Sequence, residues 1–300
     1  MTDNSKGILY AAFTASLWGF LAIALKLAVS SLSPVTVVWF RFSVAFVLLA
    51  IASLIFRKSD FSVYKKPPLK LILAAVFLGL NYMGFISGIS YVSPSSSQVF
   101  IMIGPVSFAI SGILIFREKV SWRHFAGFLL VVVGIILFYS EQIASLSASD
   151  HHFTRGMLLI FGGGLSWAVF ASLQKTLVRN HTPNQLNLFI YSLCALALIP
   201  FAQFSKLPGL DGGDWILLFY LGINTVLAYG SLALAIKYTE ANKVSVIITL
   251  NPIITFVSMM ILSRMQVSWI ESESFSVLSI VGALTVLLGA IVVILAGRKK

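Results

Sequence analysis

Eight neutral side chains in this sequence could hold a small solute without making or breaking a bond: Trp18, Asn81, Tyr82, Gln98, Trp167, Asn224, Tyr229 and Asn251. Indole and phenol rings supply apolar walls, and amides and hydroxyls orient whatever polar group the solute carries, which suits a small amphipathic molecule. All eight interrupt or border long apolar runs, where an amide without a partner costs about 2 kcal/mol or more. Gln98 and Asn251 are therefore expected to face the protein interior rather than hydrocarbon. The rings have a plainer alternative as packing or lipid-belt aromatics. Arg41, inside another apolar run, suits a carboxylate or phosphate; the alternative is that its head reaches the outer surface along its own stem. Lys26 and Lys175, near run ends, are read as reaching the surface in that way.

Bond-making chemistry is not signalled. Cys194 stands alone, so neither an intrachain disulfide nor a cysteine metal cluster is available. His124, His151, His152 and His181 are expected in loops, and the His151–His152 pair lacks the further ligands a metal site needs. Gly162, Gly163 and Gly164 look like a phosphate loop only until the missing GK[ST] is noticed, and they are expected to let helices pack closely. No catalytic residue, metal or cofactor is expected.

The elements that must position these residues follow from composition. With 58% hydrophobic against 10% charged residues and a mean hydropathy of +0.96, the chain lies outside the soluble range. Ten apolar runs are long enough to cross a bilayer: 7–29, 34–56, 69–89, 93–116, 123–139, 155–178, 184–203, 214–236, 241–263 and 276–296. They are continuous rather than alternating, so they read as helices and not barrel strands. The first is too long for a signal-peptide core and carries Lys26. With the N-terminus inside, fifteen basic residues fall on the cytoplasmic side and only Arg155, Lys206 and Arg264 on the other. That bias predicts two cytoplasmic termini and makes the net charge of +11 topological rather than a nucleic-acid footprint. Under these spans all ten acidic residues fall in loops or at helix ends. A proton-for-cation exchanger needs a carboxylate at the midplane, so facilitated diffusion or exchange is the expected mode.

The chain also repeats itself. Tyr82 and Tyr229, Tyr91 and Tyr238, Pro105 and Pro252, Arg117 and Arg264, and Trp122 and Trp269 are each 147 apart. Earlier the offset is 149, as for Trp18 with Trp167, Lys26 with Lys175 and Pro34 with Pro183. Gly127 and Gly134 match Gly282 and Gly289 at 155, so eight residues have been inserted near Glu271 to Leu278. A five-span unit has thus been written twice, residues 1–144 and 145–300. Because five is odd, the second copy must enter the membrane from the opposite face, and inverted repeats commonly enclose a midplane site reached alternately from either side. Pro105 and Pro252 leave the carbonyls of Ile101 and Ile248 without their helical donors, which predicts a hinge or polar patch there, or a tolerated kink.

The phrases SLWGFLAIALK, PVTVVWFRFSVAF and IGPVSFAISGILIFREKVSWRHFAGFLLVVVGIILF, together with the ten-span pattern, resemble the EamA-type transporters of the drug/metabolite transporter superfamily. The resemblance covers essentially the whole chain. It implies an all-α integral membrane fold of ten transmembrane helices as two inverted five-helix repeats, with a cavity between them and export or exchange of small metabolites, often amino acids. One departure is that Glu118, which matches the family's acidic residue after the fourth span, has Met265 at the 147 offset. The leading expectation is an amino-acid exporter or exchanger in a bacterial inner membrane, working as a monomer or weak homo-oligomer with a small-molecule substrate, the lipid bilayer and no nucleic acid as partners. The alternatives are a carrier of phosphorylated or nucleotide-linked metabolites, a drug exporter and, from another class, a membrane-embedded lipid enzyme.

Overall fold

The structure, a computed structural model, describes residues 2–118, 121–144, 151–273 and 276–296. Lys119, Asp150 and the terminal 298–300 of the charge map lie outside them, and the expected repeat boundary at 144/145 abuts the undescribed 145–150. The elements are α1 (Asp3–Ser31), α2 (Pro34–Phe56), α3 (Leu69–Ile89), α4 (Pro94–Ile101), α5 (Ile103–Leu114), α6 (Trp122–Ala144), α7 (His151–Leu177), α8 (Pro183–Leu198), α9 (Gly212–Tyr238), α10 (Ala241–Ile248), α11 (Asn251–Arg264) and α12 (Val277–Ala296), with short 3-10 turns between some of them. His124, His151 and His152, expected in loops, belong instead to the starts of α6 and α7.

Helix starts repeat as the sequence does. Ser33 caps α2 through the Thr36 amide and Thr182 caps α8 through the Gln185 amide, each followed by proline at the first helical position, where its missing N–H costs nothing. The fourth and ninth spans are each two helices. The first breaks at Met102 and the second at Thr249–Leu250, just ahead of Pro105 and Pro252, whose rings remove the donors for Ile101 and Ile248. Counting each broken pair as one, eight spans are long and apolar enough to cross a membrane, and α6 and α12 carry shorter apolar stretches, Trp122–Leu137 and Val277–Gly289.

The packing exchanges the two repeats. α1 packs on α9 and α3 on α7, while α2 meets α8 and α6 meets α12. Every such pair is its own counterpart, or becomes the other, when the repeats are swapped. α7 runs antiparallel to α3, since Asn81, Gly84 and Gly88 meet Gly163, then Leu159, then Gly156. α1 and α3 run the same way, so α7 is inverted relative to α1, as two inverted five-helix repeats require. We call the membrane face carrying Asp3 the amino-terminal end and the face carrying Ser31 the distal end.

At the α3–α7 crossing the backbones touch. A Cβ on Gly84 would lie 2.6 Å from the Leu159 carbonyl oxygen and 3.0 Å from Gly163 Cα, so neither atom can yield without moving a helix. Gly162, one position away, faces open space. Gly84→Val is expected to destabilise the protein by about 1–3 kcal/mol, as overpacking does, read as a lower melting temperature of the detergent-purified protein, whereas Gly162→Ala should not lower it.

Candidate functional site

The α1–α9 and α3–α7 pairs, α2 and the two broken spans converge on one cavity. Its wall is formed by Trp18 and Leu21 of α1, Arg41 of α2, Asn81, Tyr82, Phe85 and Ile86 of α3, Gln98 and Ile101 of α4, Met102 at the break, and Pro105 of α5. The second repeat adds Trp167 of α7, Tyr229 of α9, Ile248 of α10 and Asn251 of α11. The cavity encloses about 70 Å³, well short of the roughly 300 Å³ or more that small-molecule sites hold. A metabolite enters only if the walls part.

Repeat-related rings meet here. Trp18 and Trp167 lie edge-on with centroids 5.8 Å apart, and Tyr82 and Tyr229 are 5.7 Å apart. Trp18 also tilts against Tyr229 at 5.4 Å, so the four rings form a continuous wall near the pseudo-axis, within the range where aromatic pairs attract. Phe108 and Phe170 back it from behind.

Arg41 does not reach the surface. It is 2% exposed; its Nε donates to Thr225 Oγ1 at 3.2 Å, one terminal nitrogen reaches the Tyr82 hydroxyl at 3.4 Å, and the guanidinium carbon lies 4.4 Å from the Tyr82 ring centroid. Among the described residues no carboxylate pairs with it. Two further polar atoms on the wall, Trp167 Nε1 and Asn251 Oδ1, are buried without a partner among the described residues. The wall therefore offers a fixed cation, an unused N–H donor and an unused oxygen acceptor.

Asn224 lies outside this wall. Its amide nitrogen donates to the Leu17 carbonyl at 3.1 Å, which pins α9 to α1. Asn81, although on the wall, uses its amide on the Gly163 carbonyl at 3.0 Å. Pro252 is also absent from the lining, while Pro105 is part of it. Thr225, which orients Arg41, and the aliphatic residues of the wall carried no signal in the sequence, because a threonine in an apolar helix usually bonds its own backbone, as Thr225 also does to Leu221.

Lys175 is held inside as well, whereas Lys26 is half-buried at its helix end. Lys175 pairs with Glu118 at 2.9 Å, and both side chains are nearly closed off from solvent. A left-handed turn at Arg117, φ 54°, ends α5 and brings Glu118 back over the helix, where its N–H bonds the Gly112 carbonyl at 3.0 Å. The Glu118 carboxylate then accepts the N–H groups of Ala241 and Asn242, the first two of α10, at 2.8 and 3.1 Å. At a helix N-terminus a carboxylate satisfies free donors and meets the positive end of the dipole.

Known proteins resemble this chain along its length. The profile of the EamA-like transporter family matches residues 5–140 and 154–295. An uncharacterized transporter of Haemophilus influenzae is 33% identical over 95% of this chain and 93% of its own. The uncharacterized inner membrane transporter YhbE of Escherichia coli is 31% identical over 95% and 89%. A crystal structure of a protein at 17% identity superposes with a TM-score of 0.75 over 98% of both chains and shares the fold.

A buried guanidinium without a counter-charge is held at an energetic loss. Arg41→Met, which keeps the length and removes the charge, is expected to stabilise the protein by about 1–4 kcal/mol, the range seen when buried ionic groups are replaced by apolar ones, and to show it as a raised melting temperature in detergent.

Proposed function

The chain belongs to the EamA-like transporter family, and from that premise we propose that it carries small amphipathic carboxylates, neutral and aromatic amino acids above all, across a bacterial inner membrane, outward or by exchange. The observation that supports this reading is Arg41, a buried cation on the wall of an otherwise neutral aromatic cavity. A transported carboxylate would supply the missing counter-charge and take charge-assisted hydrogen bonds from the guanidinium. Trp167 Nε1 is a second donor on the wall. Asn251 Oδ1 and the faces of Trp18 and Tyr229 offer an ammonium group an acceptor and a cation–π surface. The apolar remainder of the solute would lie against Leu21, Ile86 and Met102.

Arg41 also favours a second reading, a phosphorylated metabolite. One guanidinium neutralises a carboxylate fully and a phosphate monoester only in part, which is why the carboxylate is preferred. A cationic drug fits worst, since the wall has a fixed positive charge and no carboxylate. For passage, the breaks at Met102 and Thr249–Leu250 serve as hinges on which α4 and α10 swing, so that the cavity widens toward one face at a time. The positive-inside bias of the sequence supports a cytoplasmic amino-terminal end.

Counterflow in proteoliposomes tests the reading: vesicles are loaded with unlabelled amino acids, labelled phenylalanine or leucine is added outside, and pH is equal on both sides. Label should accumulate transiently. Arg41→Gln should reduce the initial rate about tenfold or more, since charge-assisted hydrogen bonds are worth about 1.5–3 kcal/mol, and Gln98→Ala and Trp18→Ala should reduce it less. If label never accumulates, or Arg41→Gln leaves the rate intact, the amino-acid reading fails. Accumulation with phosphorylated metabolites instead would establish the second reading.

A further inference from the structure

Lys26 and Lys175 hold equivalent places in the two repeats and equivalent backbone oxygens. Lys175 Nζ donates to the Thr239 carbonyl at 3.3 Å, and Lys26 Nζ to the Val92 carbonyl at 2.9 Å, Thr239 being 147 residues after Val92. At the amino-terminal end the arrangement is completed by Glu118. The offset of 147 holds on both sides of Glu118, at Arg117 with Arg264 and Trp122 with Trp269, so its counterpart in sequence is Met265; the next carboxylates, Glu271 and Glu273, lie in the insertion that follows. The inserted segment supplies a carboxylate of its own.

In the structure Glu273 takes up the equivalent place. Its Oε1 accepts the N–H of Ser95 at 3.4 Å. Ser95 is the second residue of α4, as Asn242 is the second of α10, and the two are 147 apart. The Glu273 N–H is itself held by Ser263 Oγ on the last turn of α11 at 2.8 Å, which fixes Glu273 against the end of that helix. Glu273 therefore stands to α4 as Glu118 stands to α10.

The two ends are not equally engaged. At the amino-terminal end Glu118 makes two amide bonds and an ion pair of 2.9 Å. At the distal end Glu273 accepts the Ser95 amide at the longer distance of 3.4 Å, with the Ser93 and Ser95 hydroxyls as further partners, and among the described residues Lys26 makes no ion pair, its ammonium resting on the carbonyls of Ile89 and Val92. Burial pushes the Glu273 carboxyl above its ordinary range, against the opposing pull of the Ser95 and Ser93 hydrogen bonds and of Lys26. The distal end thus holds its carboxylate by a longer amide bond and without an ion pair, whereas the amino-terminal end has two shorter amide bonds and the ion pair.

We propose that Glu273 is a positioning residue, which through the first turn of α4 sets Gln98 and Ile101 on the cavity wall, and that Glu273 and Glu118 are paired latches of which one releases for each opening of the cavity. The inference rests on the alternating access of the preceding subsection and not on the identity of the cargo.

The test reads sidedness rather than transport. Cys194 is first replaced by serine, whose hydroxyl keeps the bond to the Ala75 carbonyl now made by the thiol at 3.3 Å, and Ile101→Cys then places the chain's single thiol on the cavity wall. Membrane vesicles of each orientation are treated with a membrane-impermeant, charged thiol reagent. Glu273→Gln, which is nearly isosteric, should speed labelling from the distal face by about two- to thirtyfold, the range that loss of a helix N-cap corresponds to, without speeding it from the amino-terminal face. Glu118→Gln should do the reverse. An unchanged distal rate in Glu273→Gln, or an equal rise from both faces, overturns the latch assignment. Asymmetric labelling together with failed amino-acid counterflow would leave the latches standing and remove only the cargo; intact counterflow with symmetric labelling would do the opposite.

Discussion

A guanidinium inside a membrane protein, without a carboxylate to neutralise it, is the constraint around which the rest of this structure is arranged. Burying a charge costs several kcal/mol even after relaxation, and Arg41 recovers part of that from a threonine hydroxyl, a phenol and the face of the same phenol's ring. Those partners come from two other helices, α3 and α9. The charge is therefore tolerable only while α2, α3 and α9 keep their places, and the helices keep those places because small residues let their neighbours approach. Stability and binding pull in opposite directions at this position, which is common where a site is built for something that arrives later.

Interlocking of the repeats explains how so much function fits into one short chain. α1 lies against α9 and α3 against α7, so neither repeat closes its own core. Residues that duplication made equivalent are brought face to face at the centre, Trp18 against Trp167 and Tyr82 against Tyr229. One ancestral ring thus furnishes two sides of a wall. The same duplication explains why both interrupted spans break at matching positions, since each inherited a proline that deprives the preceding turn of a donor.

Much of this was legible in the sequence because a bilayer simplifies the reading. Apolar runs must be helices there, the constant offsets of 147 and 149 disclosed the duplication, and the parity of five spans dictated the inversion. The polar residues of the cavity were legible for the same reason: Gln98 and Asn251 are costly against lipid and so had to face inward. What escaped was whatever depends on tertiary neighbours. Asn224 has the same credentials as Asn251, yet the Leu17 carbonyl happens to lie within its reach. Arg41 and Lys175 satisfied the rules for surface snorkelling equally well, and only the positions of Thr225, Tyr82 and Glu118 decided otherwise. The acidic counterpart of Glu118 is absent at Met265, as the offset of 147 says; that Glu273, from the insertion, comes to the start of α4 depends on the fold and carried no signal in the spacing.

The unequal ends have a kinetic meaning. A passive carrier obeys detailed balance, so a strong clasp on one side and a weak one on the other cannot pump anything uphill; they can only decide where the empty protein waits. On the latch reading proposed above, the shorter bonds and the ion pair of Glu118 lean the waiting state toward the distal face. On that reading the eight inserted residues turn a symmetric duplication into a ratchetless turnstile with a preferred idle position, and the two half-turns of its cycle need not take the same time.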